Sequence, residues 1–411
     1  MAALPLFSAF GVELEYMLVD AGTLDVRPVC DELLRAEAGA LVSDVERGPV
    51  TWSNELALHV IELKTSGPAA SLAPLPGLFV ENVQRINELA AAWGVRLLPT
   101  GMHPWMDPHR ELRLWPHDNG PIYETFHRIF DCRGHGWANL QSVHLNLPFS
   151  GDEEFGRLHA AVRLILPLLP ALAASSPVME GRVTGLQDTR LEVYRTNARR
   201  LHTVTGRVIP EAAYTRDEYD RLIFQPMFDE IAPLDPEGVL QEEFLNARGA
   251  IARFSRGTIE IRLLDVQECP EADVALCAAI VAVLQRLVEQ RWTSTAEQQR
   301  VPIDPLESLL IRTIAAADQT VLDDPDFLRH FGAADLTGGT VGDLWQHLIG
   351  EACREDRELD QRWGATLEGL LKRGPLARAI RQRLVPPGAS PLEAVYRELA
   401  EHLAGGRVFG V

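Results

Sequence analysis

The stretch GVELEYMLVD, Gly11–Asp20, alternates with the period of a β-strand. Side chains two residues apart on a strand project to the same face, so Glu13 and Glu15 stand together while Val12, Leu14 and Tyr16 line the other side. A sheet with one face in water accounts for such a pattern without any function. The recurrence of the pattern along the chain weighs against stopping there.

Three further segments place ionisable or polar side chains on one side. NELALHVIELKTSGP (54–68) brings Glu55 and Glu62 with His59 between them. The stretch reads as strand material ending in a turn; its two glutamates are seven apart, so a regular strand would aim them at opposite faces, and a bulge or a turn at one end is required. NLQSVHLNLPF (139–149) sets Val143, Leu145 and Leu147 against His144 and Asn146, with Gln141 nearby. GTIEIRLLD (257–265) sets Glu260 and Arg262 opposite Ile259, Ile261 and Leu263. Taken singly, each is also what an exposed strand carries, and a lone histidine among apolar residues fits a core equally well. Together on one sheet they would crowd carboxylates around a histidine, which is unfavourable unless cations sit among them. Oxygen donors with an imidazole suit Mg²⁺ or Mn²⁺, and an arginine beside them suits phosphate oxygens.

Helical spacing is read in Val29–Gly39, in LPGLFVENVQRINELAAAWG (75–94), in EEFGRLHAAVRLILPLLPALAASS (153–176), and almost continuously from Ala272 onward. VRLLPTGMHPW (95–105) reads as a strand entering a loop. Strands come early, helices come late, and hairpin-like alternation dominates. The expectation is an α+β chain built on an antiparallel sheet. Residues 1–290 are read as the catalytic core and 291–411 as a helical C-terminal part packed on the same domain, which could supply a homodimer surface. The arginine-rich stretch Gly181–Arg207 is long and weakly periodic, and reads as a loop able to act as a lid.

Hydrophobic residues make up 46% of the 411 and charged residues 24%, the balance of a globular chain. A net charge of −19 argues against nucleic-acid phosphates as a partner. The five cysteines, Cys30, Cys132, Cys269, Cys277 and Cys353, form no CxxC pair, so reduced thiols and a cytoplasmic location are expected. The opening MAALPLFSAFGVELEY lacks a basic region followed by an apolar run, and LILPLLPALAASSPVM (164–179) is short and holds three prolines, so neither secretion nor a membrane span is expected. No GxxxxGK[ST] occurs, which argues against a P-loop NTPase.

In order across residues 11–268, GVELEYMLVDAGTLDVRP, HVIELKTSGP, GMHPW, SVHLNLPF, ALAASSPVMEGRVTG and GTIEIRLLDVQE resemble the glutamate–cysteine ligase family of the plant and bacterial carboxylate–amine ligase type, a relative of glutamine synthetase. The resemblance implies an antiparallel sheet whose concave face holds two or three Mg²⁺ ions (or Mn²⁺) between ATP and a carboxylate. It implies metal ligation by Glu13, Glu15, Glu55, Glu62, His144 and Glu260, and contact between Arg262 and the transferred phosphate. It places Arg190 where a substrate carboxylate is clamped. Lys64 is expected within reach of nucleotide phosphate. The implied reaction joins a small carboxylate and an amine through an acyl phosphate, with γ-glutamylcysteine formation as the default. The alternatives are another phosphoryl transfer on the same fold, as in a guanidino kinase, and a non-catalytic nucleotide- or metal-binding relative. Two departures stand out. Ser142 occupies a position where bacterial relatives often have histidine, and no arginine- and tryptophan-bearing helix motif is recognisable near LLIRTIAAADQ (309–319).

Overall fold

The computed structural model describes residues 4–385 and 390–410. Its strands are β1 (Gly11–Asp20), β2 (Asp44–Arg47), β3 (Val50–Asn54), β4 (Val60–Thr65), β5 (Val95–Leu98), β6 (Ser142–Pro148), β7 (Val178–Met179), β8 (Arg182–Val183), β9 (Ala250–Arg253) and β10 (Thr258–Asp265). Eight of them form one antiparallel sheet in the order β2-β3-β4-β1-β6-β10-β9, and β5 pairs with the far end of β1. The α+β class and the antiparallel sheet are therefore as expected. β1 is central: its register sets Glu13 opposite both Lys64 of β4 and His144 of β6, and Glu15 opposite Glu62.

Alternation divides the sheet into two faces. Val12, Leu14, Tyr16 and Leu18 of β1, Val143, Leu145 and Leu147 of β6, and Ile259 and Ile261 of β10 are all buried. They share one hydrophobic cluster with Phe79, Val83 and Ile86 of the helix Leu75–Ala90, with Leu158 and Val162 of the helix Gly151–Ile165, and with the helix Pro270–Val288. Leu75–Ala90 forms because its apolar residues recur at helical spacing behind a proline in the first turn, the one place where the missing N–H costs nothing. Pro270–Val288 is buried on nearly all sides, as its uniform apolarity requires. Leu306, Trp345, Leu367 and Leu403 of the C-terminal helices join the same cluster. In the apolar run 164–179, the prolines end the helix at Ile165 and leave a 3₁₀ turn and a short helix, Pro170–Ala173. Among the described residues no helix is long and apolar enough to cross a membrane.

Three sequence expectations change. Residues 54–68 are not one strand: β3 ends at Asn54, a turn carries Glu55, and β4 starts at Val60. That turn resolves the seven-residue spacing, because the two glutamates need not share a strand. Two hairpins, β2–β3 and β9–β10, extend the sheet at its two edges where only β10 is evident from sequence. Finally, Gly181–Arg207 is not a free loop. It holds β8 and the helix Thr189–Tyr194, and it buries Leu191, Tyr194, Ala198, Leu201 and Val204 in the core.

The GMHPW stretch serves the fold. His103 is fully buried, with Nε2 against the Leu24 carbonyl at 2.7 Å. Thr100 adopts φ +85°, an unusual conformation for a β-branched residue. It is held in place by Gly101, whose N–H donates to Ser175 Oγ and whose carbonyl accepts from the Gln141 N–H. A Cβ on Gly101 would lie 2.4 Å from Cγ of Asp265. Gly101→Ala is therefore expected to cost about 1–3 kcal/mol through overpacking, read as a lowered urea midpoint at unchanged m value.

Candidate active site

The solvent-facing side of the sheet opens into a cavity of about 540 Å³. Glu13, Glu15, Glu62, Lys64, His144, Glu260 and Arg262 all line it, as do Glu55 from the β3–β4 turn and Arg190 from the helix Thr189–Tyr194. The opposite wall is aromatic and apolar, with Tyr123, Phe126, Trp137 and Phe244 among its residues.

Ligand atoms of Glu13, Glu62 and His144 lie within 4.8 Å of one another, and so do those of Glu15, Glu55 and Glu62. The two groups share Glu62. Neighbours fix each carboxylate: Ser53 Oγ and Lys64 Nζ both donate to Glu62 Oε2 at 2.6 Å. Asn146 Nδ2 donates to Glu13 Oε1 at 3.0 Å, and His144 Nδ1 pairs with Glu13 Oε2 at 2.7 Å. Ser142 gives Glu15 Oε2 both its backbone N–H (2.7 Å) and its hydroxyl (2.9 Å). Ser142 thus holds a carboxylate in place. Glu260 shares the face but stands outside both three-residue groups, bound by Arg262 at 3.0 Å and Arg253 at 3.2 Å.

The electrostatics are those of crowded carboxylates. Burial, then the charges of Glu62 and Glu15, push the Glu55 carboxyl well above its ordinary range. Burial and the Glu13 charge push Glu62 up to about 7 against the pull of Lys64. Burial would also raise Glu13, but the His144 hydrogen bond and the charges of His144 and Lys64 outweigh it and hold that carboxyl well below the usual range. Burial disfavours the His144 imidazolium, yet Glu13 and Glu15 together raise it to about 9.

Such a donor set fits a hard divalent cation: carboxylate oxygens with one imidazole, two overlapping groups, and surplus negative charge that a cation would relieve. Sign follows from linkage. His144 and Glu62 hold protons in the free protein up to about pH 9 and 7, and a cation must displace them. Mn²⁺ affinity measured by calorimetry is expected to rise about tenfold per pH unit from pH 7 to 9, where one proton is released on binding, and more steeply below pH 7. The stability that these protons lend the free protein is lost in the same direction, as pH rises through 7 and then 9.

Two other candidates, His59 and Gln141, lie away from the cavity. His59 is fully buried away from the cavity, with both ring nitrogens unpartnered, and burial together with the nearby His103 holds its pKa down at about 3. Gln141 is buried and does not line the cavity. The guanidinium of Arg190 is engaged by Asp265 and by backbone carbonyls, which differs from an open carboxylate clamp. Lys64 lines the cavity and is paired with Glu62. None of residues 309–319 lines the cavity. Arg253 and Arg256 also line the cavity, and their sequence signal is the turn SRG between AIARF and TIEIR, which folds β9 back beside β10. Arg262 keeps a buried Nε–H that finds no acceptor among the described residues.

The chain is similar to known proteins in sequence and in fold. The family model described as glutamate–cysteine ligase family 2 matches residues 9–338. An uncharacterised protein of Archaeoglobus fulgidus is 37% identical over 296 residues, 72% of this chain and 76% of that one. A Rubrobacter xylanophilus protein, provisionally named glutamate–cysteine ligase 2-3, is 28% identical over 400 residues, 96% of each chain. A crystal structure of glutamate–cysteine ligase from Francisella tularensis in complex with AMP shares the fold, with a TM-score of 0.51 at 13% identity over 96% of this chain and 92% of that one.

Proposed function

Because the chain belongs to glutamate–cysteine ligase family 2, and is thereby a carboxylate–amine ligase, we propose that it forms its amide at the cavity through ATP and an acyl phosphate, with glutamate and cysteine as the default pair. The observation that carries this reading is the shared glutamate: two acidic donor groups meet at Glu62 on one sheet face, with Arg262 lining the same cavity.

A carboxylate is a poor electrophile, so amide formation needs a leaving group. A substrate carboxylate oxygen attacks the γ-phosphorus of ATP and ADP departs. The amine then attacks the acyl carbon, phosphate leaves, and the amine proton passes to solvent or phosphate. No protein nucleophile is required, only alignment and charge neutralisation. Glu13, Glu62 and His144 would hold one Mg²⁺, and Glu15, Glu55 and Glu62 a second, with Glu260 at the margin. Bound cations supply neutralisation of the phosphate oxygens. Arg262 donates to the equatorial oxygens of the transferring group, where charge spreads in the transition state. Lys64 adds positive charge beside Glu62. The aromatic wall excludes water from the acyl phosphate.

An acyl phosphate leaves a label. With oxygen-18 in both carboxylate oxygens of the substrate, one labelled oxygen is expected in the phosphate released per amide formed. Phosphate without label would remove the acyl-phosphate step, and a phosphorylated acceptor without amide would favour a guanidino-kinase-like reaction instead.

A further inference from the structure

β10 does not run evenly beside β6. Its register slips between Ile261 and Leu264, so Arg262 and Leu263 lie on an irregularity of the strand. Bulges of this kind re-aim a side chain, and the buried backbone groups at them need partners. Arg190 supplies two. Its side chain is 2% exposed. Nη2 donates to the Arg262 carbonyl at 2.9 Å, and Nη1 donates to the Leu263 carbonyl at 3.3 Å and to Asp265 Oδ1 at 3.2 Å.

Asp265 is itself fully buried and anchored from a third direction. Its Oδ2 accepts the Ser175 N–H at 2.8 Å and the Ser176 hydroxyl at 2.7 Å. Ser176 Oγ in turn accepts the Arg190 N–H at 3.1 Å, closing the loop on the residue that braces the bulge. The helix carrying Arg190 is capped by Asp188, whose carboxylate accepts the Leu191 N–H at 2.8 Å. Gly101 packs so closely on Asp265 that no side chain fits between them. A buried arginine with this many geometric obligations is poorly placed to release them for a substrate. It is well placed to fix the backbone from which Arg262 projects.

We propose that Arg190, braced by Asp265 and Ser176, is a positioning residue that locks the β10 bulge and so aims the Arg262 guanidinium into the cavity. Its link to catalysis rests on the ligase reading above, with Arg262 as the residue that meets the transferring phosphoryl group. Arg190 acts through Arg262 and touches no reacting atom. Lysine in its place keeps the charge but cannot reach two carbonyls and a carboxylate from one planar fork.

The test is a double-mutant cycle on the full chain with Arg190→Lys and Arg262→Lys. Arg190→Lys is expected to lower kcat 10- to 100-fold while KM for ATP and for the carboxylate stays within about twofold. In the Arg262→Lys background the same change is expected to have an effect under threefold, because the guanidinium it aims is gone. Losses that multiply, or a tenfold rise in carboxylate KM with kcat intact, would overturn the proposal; the latter would restore Arg190 as a substrate clamp. Should Arg190→Lys not fold, Ser176→Ala removes one brace only. It is expected to lower kcat 3- to 10-fold with the same dependence on Arg262, and unchanged kcat would overturn the proposal. The cycle can also be read without turnover, as calorimetric binding of aluminium fluoride in the presence of Mg²⁺ and ADP, a mimic of the transferring phosphoryl group rather than of ground-state ATP. Each single variant is expected to weaken that binding about tenfold and the double variant no further; additive weakening overturns the positioning role. An inactive wild-type protein would remove the ligase reading, whereas an active one with additive variants would remove only this inference.

Discussion

Glu62→Gln is expected to lower kcat/KM by about 10³-fold or more, equivalent to roughly 4 kcal/mol of transition-state stabilisation, without unfolding the protein. Glu62 is the one residue that belongs to both donor groups. Glutamine keeps its size and an oxygen for the Ser53 and Lys64 hydrogen bonds, but it removes the negative charge that both groups use. Most deleterious substitutions also destabilise, and this one is expected to do the opposite. In the free protein the Glu62 carboxyl is pushed up to about 7 by burial and by Glu13, so its ionised form opposes folding at pH 8. A neutral amide relieves that repulsion. The expected signature is loss of activity with an equal or higher melting temperature at pH 8, measured by steady-state kinetics and calorimetry on the same preparation. A variant with near-normal activity, or one that is inactive because it is unfolded, contradicts the assignment.

Arg262→Gln is expected to lower kcat by 10²- to 10³-fold, the cost of removing one preorganised donor from a developing oxyanion. Arg262 lines the cavity and is held there by Glu260 at 3.0 Å. Since the interaction strengthens as charge spreads over the phosphoryl group, the loss should fall on kcat, with KM for ATP changed by less than about threefold. An effect confined to KM would make Arg262 a ground-state binding residue.

How far the sequence shows this site depends on which forces placed each residue. Period-two alternation alone sorted Glu13, Glu15, His144, Glu260 and Arg262 onto one face, because a strand leaves its side chains no other choice. Glu62 came with them, and Glu55 arrived from a turn whose need the seven-residue spacing had already signalled. His59 went the other way, into the core. Its alternation between apolar neighbours was the cue, and no local pattern distinguishes a buried imidazole from a ligand.

Long-range partners were the illegible part. Arg190 is tied to Asp265, 75 residues away, and spacing alone does not separate a guanidinium locked into a strand backbone from one open to substrate. The stretch around it looked loose because it is rich in arginine. In the fold several of those arginines have partners: Arg200 donates to the Ile129 carbonyl, and Arg207 pairs with Asp304 and Glu307. β9 escaped because it is short and its hairpin turn is built from serine, arginine and glycine without a stronger turn signature.

The central claim is that the acidic face works as an ATP-dependent ligase site. The direct measurement is ADP release by the purified chain with Mg²⁺ and ATP, scanning glutamate and other amino acids against cysteine and other amines, with Glu260→Gln as control. The predicted result is release that requires a carboxylate and an amine together, stops on chelation of Mg²⁺, and is lost in the variant. Release that needs no amine and yields no amide, or a protein that binds neither Mg²⁺ nor ATP, would contradict it.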